Sequence, residues 1–151
     1  MIKRFTIDSP LGPLTVTEDN DAITELTWAT GGSDHTPLLD EAARQLAAYF
    51  TRELTIFDLP LAPKASPAGH RALAALRAIP YGNTVTYGDL AKTLGISPQA
   101  AGQACGANPI PIIIPCHRVL GTGNLGGFSA KGGIETKVEL LKLEGAASLL
   151  I

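Results

Sequence analysis

The chain has 151 residues, 45% hydrophobic and 17% charged, which suits one ordinary globular domain or two small ones and excludes disorder, collagen and coiled coil. No apolar run approaches the roughly 20 residues a membrane helix needs, and the N-terminus lacks a basic leader followed by an apolar stretch. Two cysteines, Cys105 and Cys116, are too few for a disulfide framework and form no zinc-ligand spacing. A reducing, cytoplasmic compartment is the expectation. The formal charge of −2 averages two unlike halves: residues 1–66 carry 5 Lys/Arg against 10 Asp/Glu, residues 67–151 carry 7 against 4. The second half, at +3, permits an anionic partner without demanding one.

In chain order, Ile2 to Asp8 alternates as a strand and Ser9-Pro10-Leu11-Gly12-Pro13 is turn chemistry. Leu14 to Thr17 and Ile23 to Trp28 read as strands joined by a turn at Asp19-Asn20-Asp21. Thr36 with Pro37 opens a helix whose Leu39, Ala42, Ala43, Leu46 and Phe50 recur at helical spacing, and Ile56 to Leu61 reads as a further strand. Residues 62–67 form a Pro/Ala linker where the charge balance changes sign, so the expected division is 1–64 and 65–151.

The second part reads as helical. Residues 67–79 make one helix with Leu73 and Leu76 on a stripe, and Tyr81-Gly82-Asn83 is a turn. Thr86 to Leu94 makes a short helix stopped by Gly95, and Ser97-Pro98 starts another that runs to about Ala107. Such a pair is what a helix-turn-helix looks like, a weak signal in sequence. Gly133 to Glu144 closes the chain as a helix with Ile134, Val138 and Leu141 on one face. The fold class expected is α/β: an N-terminal antiparallel sheet plus helix, then a helical C-terminal domain holding the helix-turn-helix and the active site.

The chemistry concentrates in Asn108-Pro109-Ile110-Pro111-Ile112-Ile113-Ile114-Pro115-Cys116-His117-Arg118-Val119. The apolar run drives Cys116 inward and the prolines stiffen the backbone. A buried free cysteine is ordinarily an inert small hydrophobe. Here His117 follows directly, and a nucleophilic cysteine needs a base because the thiolate is the reactive form. Neighbouring residues point apart, so a proton would pass through a water, and Glu144 is the carboxylate candidate to orient the imidazole. Chemistry alone leaves ordinary packing open beside this Cys/His/Glu reading. It also leaves Tyr87 open as a helix-start residue packing at the surface. Arg118 reads as a structural ion-pair partner, Lys137 as support for the last helix, Cys105 as packing and His70 as a surface or capping residue.

Pro115-Cys116-His117-Arg118-Val119 preceded by Asn108-Pro109 resembles the active-site signature of the O6-alkylguanine-DNA alkyltransferases. The likeness continues through Ile79-Pro80-Tyr81-Gly82, Thr86-Tyr87, Gly126-Gly127-Phe128-Ser129, Lys137, Leu140-Leu141 and Glu144-Gly145, and the Ser9-Pro10-Leu11-Gly12 opening resembles the family's N-terminal domain. The resemblance implies irreversible, single-turnover transfer of an alkyl group from the guanine oxygen in DNA to Cys116, without metal or cofactor. It implies His117 as the water-bridged base, Glu144 holding the histidine and Asn108 bracing the turn. Tyr87 would donate to a flipped base, the Ser129 amide would meet the guanine oxygen, and the Cys116 and Val119 carbonyls would accept from its amine.

The implied partner is double-stranded DNA carrying alkylated guanine, engaged by a monomer through its minor groove. There the family's second helix places an arginine at the position of Gln99; Ala100 and Gly102 would lie close to the groove. Gln99 cannot supply a guanidinium's charge, and residues 93–117 hold no Lys, Arg, Asp or Glu at all. Weaker reliance on duplex DNA is therefore expected. The alternatives are an alkyl acceptor for non-duplex or small-molecule substrates and a non-reacting damage sensor, against which Cys116 itself counts.

Overall fold

The computed structural model describes residues 1–128 and 132–146. The chain divides into two compact units, Met1–Lys64 and one beginning at Ala65. In the first, β1 (Lys3–Ile7), β2 (Leu14–Asp19) and β3 (Ala22–Thr27) form an antiparallel sheet in the order β1-β2-β3. The β2–β3 hairpin turns through Asn20 at φ 51° and Asp21 at φ 61°, the left-handed pair that a tight hairpin requires and that Asn and Asp tolerate. α1 (Pro37–Phe50) packs on β1 and β2, and Thr36 caps it by accepting from the Leu39 amide at 3.0 Å. Leu14, Val16, Ile23, Leu26, Leu39, Leu46 and Tyr49 make this unit's core.

The strand expected at Ile56 to Leu61 is absent. Leu61 makes one bridge to Ile23, whose amide donates to Pro60 O at 2.8 Å while Ala62 donates back to Ile23 O at 2.7 Å. A proline beside the bridge cannot donate to a ladder. The Gln45 side chain holds the segment instead, accepting from the Asp58 amide at 2.9 Å and donating to the Asp58 carbonyl at 3.0 Å. Ile56 stands 78% exposed.

In the second unit α2 (Pro67–Arg77), capped by Ser66, buries Ala72, Leu73 and Leu76. It packs against α3 (Tyr87–Leu94) and α4 (Pro98–Gly106), which pack on each other. A reciprocal capping box between Thr86 and Asp89 starts α3, and Gly95 in the left-handed conformation, φ 69°, ends it. Ser97 then caps α4. α4 buries only Ala101 and Cys105, so its contact with α3 is made by small side chains at close range. Two elements escaped the sequence: the two-residue strands β4 (Val85–Thr86) and β5 (Val119–Leu120), paired in parallel. They are too short to show a period, yet they tie the entry of α3 to the segment after Cys116.

α5 (Ile134–Leu143) forms, but of the three residues expected on its inward face only Leu141 is buried. Ile134 is 45% exposed, and Thr136, Lys137, Leu140 and Leu141 are buried. A buried lysine and the buried Glu144 that follows decide the rotation of this helix, and polar residues leave no hydrophobic period to read.

Candidate active site

Asn108 organises the approach to Cys116. Its side-chain amide donates to Ile114 O at 2.8 Å, and its oxygen accepts from the Ile110 amide at 3.0 Å, closing the 108–114 segment on itself. Within that loop Ile112 is buried at φ 72°, a conformation that costs a β-branched residue about 1–3 kcal/mol. Ile110, Ile112 and Ile114 are at most 1% exposed, and this packing holds the strained turn in place. The chain then makes a single 3₁₀ turn, Cys116–Arg118, and enters β5.

Behind Cys116 lies a buried ionic cluster. His117 is fully buried, and its Nε2 donates to Glu144 Oε2 at 2.7 Å. A carboxylate can only accept, so the donor is Nε2–H and the proton-free nitrogen of the neutral ring is Nδ1. That Nδ1 is buried with no hydrogen-bond partner, the Cys116 sulfur included. Arg118 grips the same carboxylate, Nε to Oε1 at 2.7 Å and Nη2 to Oε2 at 3.0 Å, and its Nη1 donates to Ile79 O at 2.6 Å. Glu144 thus balances a permanent guanidinium charge and orients the imidazole. Burial pushes the His117 pKa down, and the Glu144 hydrogen bond and charge oppose this only in part. The histidine therefore rests neutral with a vacant acceptor, the state a general base needs.

Cys116 lines an apolar cavity of ≈ 490 Å³ with Tyr87, Gly102, Cys105, Gly106, Gly127 and Phe128. Burial raises the Cys116 pKa, while a hydrogen bond from Asn108 and the Lys137 charge lower it. Resting thiol, base nearby and stabilising cation together make a nucleophile that is generated only when its proton leaves. Cys105 opens on the same cavity, yet burial and the Cys116 charge push it up to about 12, so it stays a thiol. Tyr87 is half-buried and its phenol is also raised, chiefly by burial. Position 126 must be glycine: its φ is +70°, and a Cβ there would stand 2.7 Å from Tyr87 Cε2.

Lys137, assigned no more than helix support by its sequence, is the hub of this half of the site. Its fully buried ammonium donates to Val119 O at 2.7 Å and to Gly127 O at 3.0 Å, and lies 5.6 Å from the centre of the Tyr87 ring. Burial lowers its pKa to about 8, against the raising effect of the two thiols. The Val119 carbonyl therefore already serves the Lys137 ammonium.

The structure brings Cys116, His117, Glu144, Asn108, Tyr87, Val119 and Gly102 together around one cavity and its rear wall. Gln99 and Ala100 lie instead on the first turn of α4, with Gln99 exposed. Ser129 lies outside the described residues. Arg118 makes the ion pair read for it, and it also reaches the Tyr81 ring at 5.7 Å. The hydrogen bond of Arg71 to Leu94 O had no signal in the sequence, because it joins residues far apart in the chain.

Two family models together span almost the whole chain: the 6-O-methylguanine DNA methyltransferase DNA binding domain matches residues 67–146, and the ribonuclease-like domain of the same methyltransferases matches residues 2–63. A methylated-DNA–protein-cysteine methyltransferase of Mycolicibacterium paratuberculosis is 40% identical, covering 95% of this chain and 93% of that protein. A protein of the same name from Methanosarcina acetivorans is 39% identical over 92% of this chain and 96% of its own. Among solved structures, the Mycobacterium tuberculosis O6-methylguanine methyltransferase superposes with a TM-score of 0.86 at 39% identity, covering 97% of this chain and 94% of that one. The M. tuberculosis OGT in complex with DNA gives 0.84 at 40% identity, with 97% and 93% covered. With both domains matched and relatives of this identity spanning its length, the chain belongs to the 6-O-methylguanine DNA methyltransferase family.

Proposed function

We propose that this protein repairs DNA by taking the alkyl group from O6-alkylguanine onto Cys116 in a single irreversible turnover. The observation that carries the reading is a cysteine on an apolar cavity backed by a neutral histidine, whose orientation a buried carboxylate fixes through Nε2. The thiol proton passes through one water to His117 Nδ1. The sulfur then attacks the alkyl carbon in line with its bond to O6; the S–C bond forms as the C–O bond breaks. The Lys137 charge favours the thiolate as it develops. Guanine leaves with the electron pair of the broken bond, the Tyr87 phenol donates to it, and the proton held by His117 completes the neutral base. Atoms and charge balance without a cofactor, and the thioether has no route back.

A base can enter such a cavity only when taken out of the stack, and the apolar walls with a few directed donors suit a flipped guanine. The N-terminal half of α4, with Gln99, Ala100 and Gly102, would lie in the minor groove. Cys116 must stay reduced to act, which fits a reducing cytoplasmic setting for a protein with two free cysteines. Action as a monomer is expected.

The test is intact-protein mass spectrometry after mixing with a duplex containing O6-methylguanine. One methyl per molecule on the wild type and none on Cys116→Ala is the expected result. An unchanged wild-type mass with intact substrate overturns the reading.

A further inference from the structure

Any protein that docks on duplex DNA must neutralise phosphates, and cations supply most of that affinity. The α3–α4 pair is poorly equipped for this, because residues 93–117 carry no charged side chain and α4 therefore has none. A cation beside α4 has to come from another element. Among the described residues of the second unit, the exposed cations are Arg71, Arg77, Lys92 and Lys142. Lys142 sits in the last turn of α5, and Arg77 ends α2, about 9 Å beyond Arg71 along the helix axis. Lys92 shares its helix with Asp89, whose carboxylate feels its charge.

Arg71 differs from all three. It rises from α2, which packs on both helices of the pair, and its Nη2 donates to Leu94 O at 3.2 Å, the last residue of α3. That bond fixes the guanidinium beside the turn Gly95–Ser97 that leads into α4. Among the described residues no carboxylate pairs with it. One of its five N–H groups is used, and the remaining donors keep the planar fork that suits a phosphate.

We propose that Arg71 is the phosphate anchor of this helix-turn-helix, contacting the DNA backbone at the α3–α4 turn and supplying the charge that α4 lacks. The inference rests on the DNA-repair reading above. Its competitor is a purely structural role, in which Arg71 only caps the carbonyl end of α3.

The experiment measures binding of a fluorescent duplex carrying O6-methylguanine across a salt series, in the non-reacting Cys116→Ala background. Arg71→Gln is expected to weaken binding about fivefold at low salt and to flatten the slope of log K against log salt by about 0.9, the equivalent of one phosphate. Arg71→Lys should keep the slope, and Arg77→Gln should match its parent. In reactive protein, Arg71→Gln should lower methyl transfer from duplex about fivefold relative to transfer from free O6-methylguanine base. An unchanged salt slope, or a parallel fall on duplex and free base, overturns the phosphate role in favour of the cap. If wild-type protein takes no methyl from duplex, the repair reading fails instead, and the salt series still reports on Arg71.

Discussion

Replacing Glu144 with glutamine separates the two tasks that its carboxylate performs. Oε1 and Oε2 together accept from Arg118 at 2.7 and 3.0 Å, and Oε2 also accepts from His117 at 2.7 Å, with both partner side chains at most 8% exposed. A carboxamide has one acceptor oxygen and an NH₂ group, so either Arg118 or His117 meets a donor face to face. The guanidinium also loses its countercharge while the contact to Ile79 O remains. Stranding a buried charge in this way costs about 3–5 kcal/mol. For a unit of this size each kcal/mol lowers Tm by about 4–8 °C, so a fall of at least about 12 °C is expected. Loss of an aligned base removes about 10²–10⁴ in rate.

Circular-dichroism melts and single-turnover mass spectrometry, run well below the lowered Tm, measure the two effects separately. Arg118→Met is the comparison: it too leaves a buried charge stranded and destabilises, but it keeps Glu144 on His117, so transfer by the folded fraction should fall far less than in Glu144→Gln. The double variant should recover much of the stability and none of the rate. A Glu144→Gln protein that melts within about 1 kcal/mol of wild type and transfers at its rate would refute the cluster as described.

Three further outcomes follow from the geometry. Lys137 has a folded pKa of about 8 against an ordinary 10.5, so between these values the unfolded chain holds more protons on this residue. The stability difference between wild type and Lys137→Met should therefore move in favour of wild type as pH rises from about 8, read from urea midpoints, and a flat difference would remove the buried ammonium. Gly126→Ala should cost about 1–3 kcal/mol and slow transfer by pushing the Tyr87 ring aside, while Gly127→Ala, whose Cβ meets nothing within 4 Å, should stay within about 0.5 kcal/mol in the same melts. Gln99→Arg, on an exposed first-turn position of α4, should tighten duplex binding and steepen its salt slope by about 0.9; an unchanged slope would take this helix off the DNA.

Much of this architecture was legible because it depends on short-range chemistry. Thr36-Pro37 and Ser97-Pro98 mark helix starts, and both caps form as read; Ser66-Pro67 and the Thr86–Asp89 box are caps of the same local kind. The pairing of His117 with Glu144 was proposed from charge and reactivity, and the two meet at 2.7 Å. What escaped was long-range or polar. β4 and β5 owe their existence to each other and carry no local pattern. Ile56 to Leu61 has strand-like residues, yet Gln45 on α1 claims its backbone groups. The inward face of α5 was read only in part because a lysine gives no sign in sequence of being buried, and the carbonyls of Val119 and Gly127, contributed from elsewhere in the chain, are what make the burial of Lys137 tolerable.

The charge-free stretch from residue 93 to 117 also bears on how the protein would find a lesion. Residence time on undamaged DNA grows with the number of phosphates neutralised, and a recognition helix without charge contributes none of its own. Search would then proceed by many short visits rather than long one-dimensional slides, with each visit ending unless a base enters the cavity. Association would tolerate salt better than in a strongly basic reader, and discrimination would fall to the pocket, where an unstacked guanine meets Cys116, and away from the first encounter with the helix.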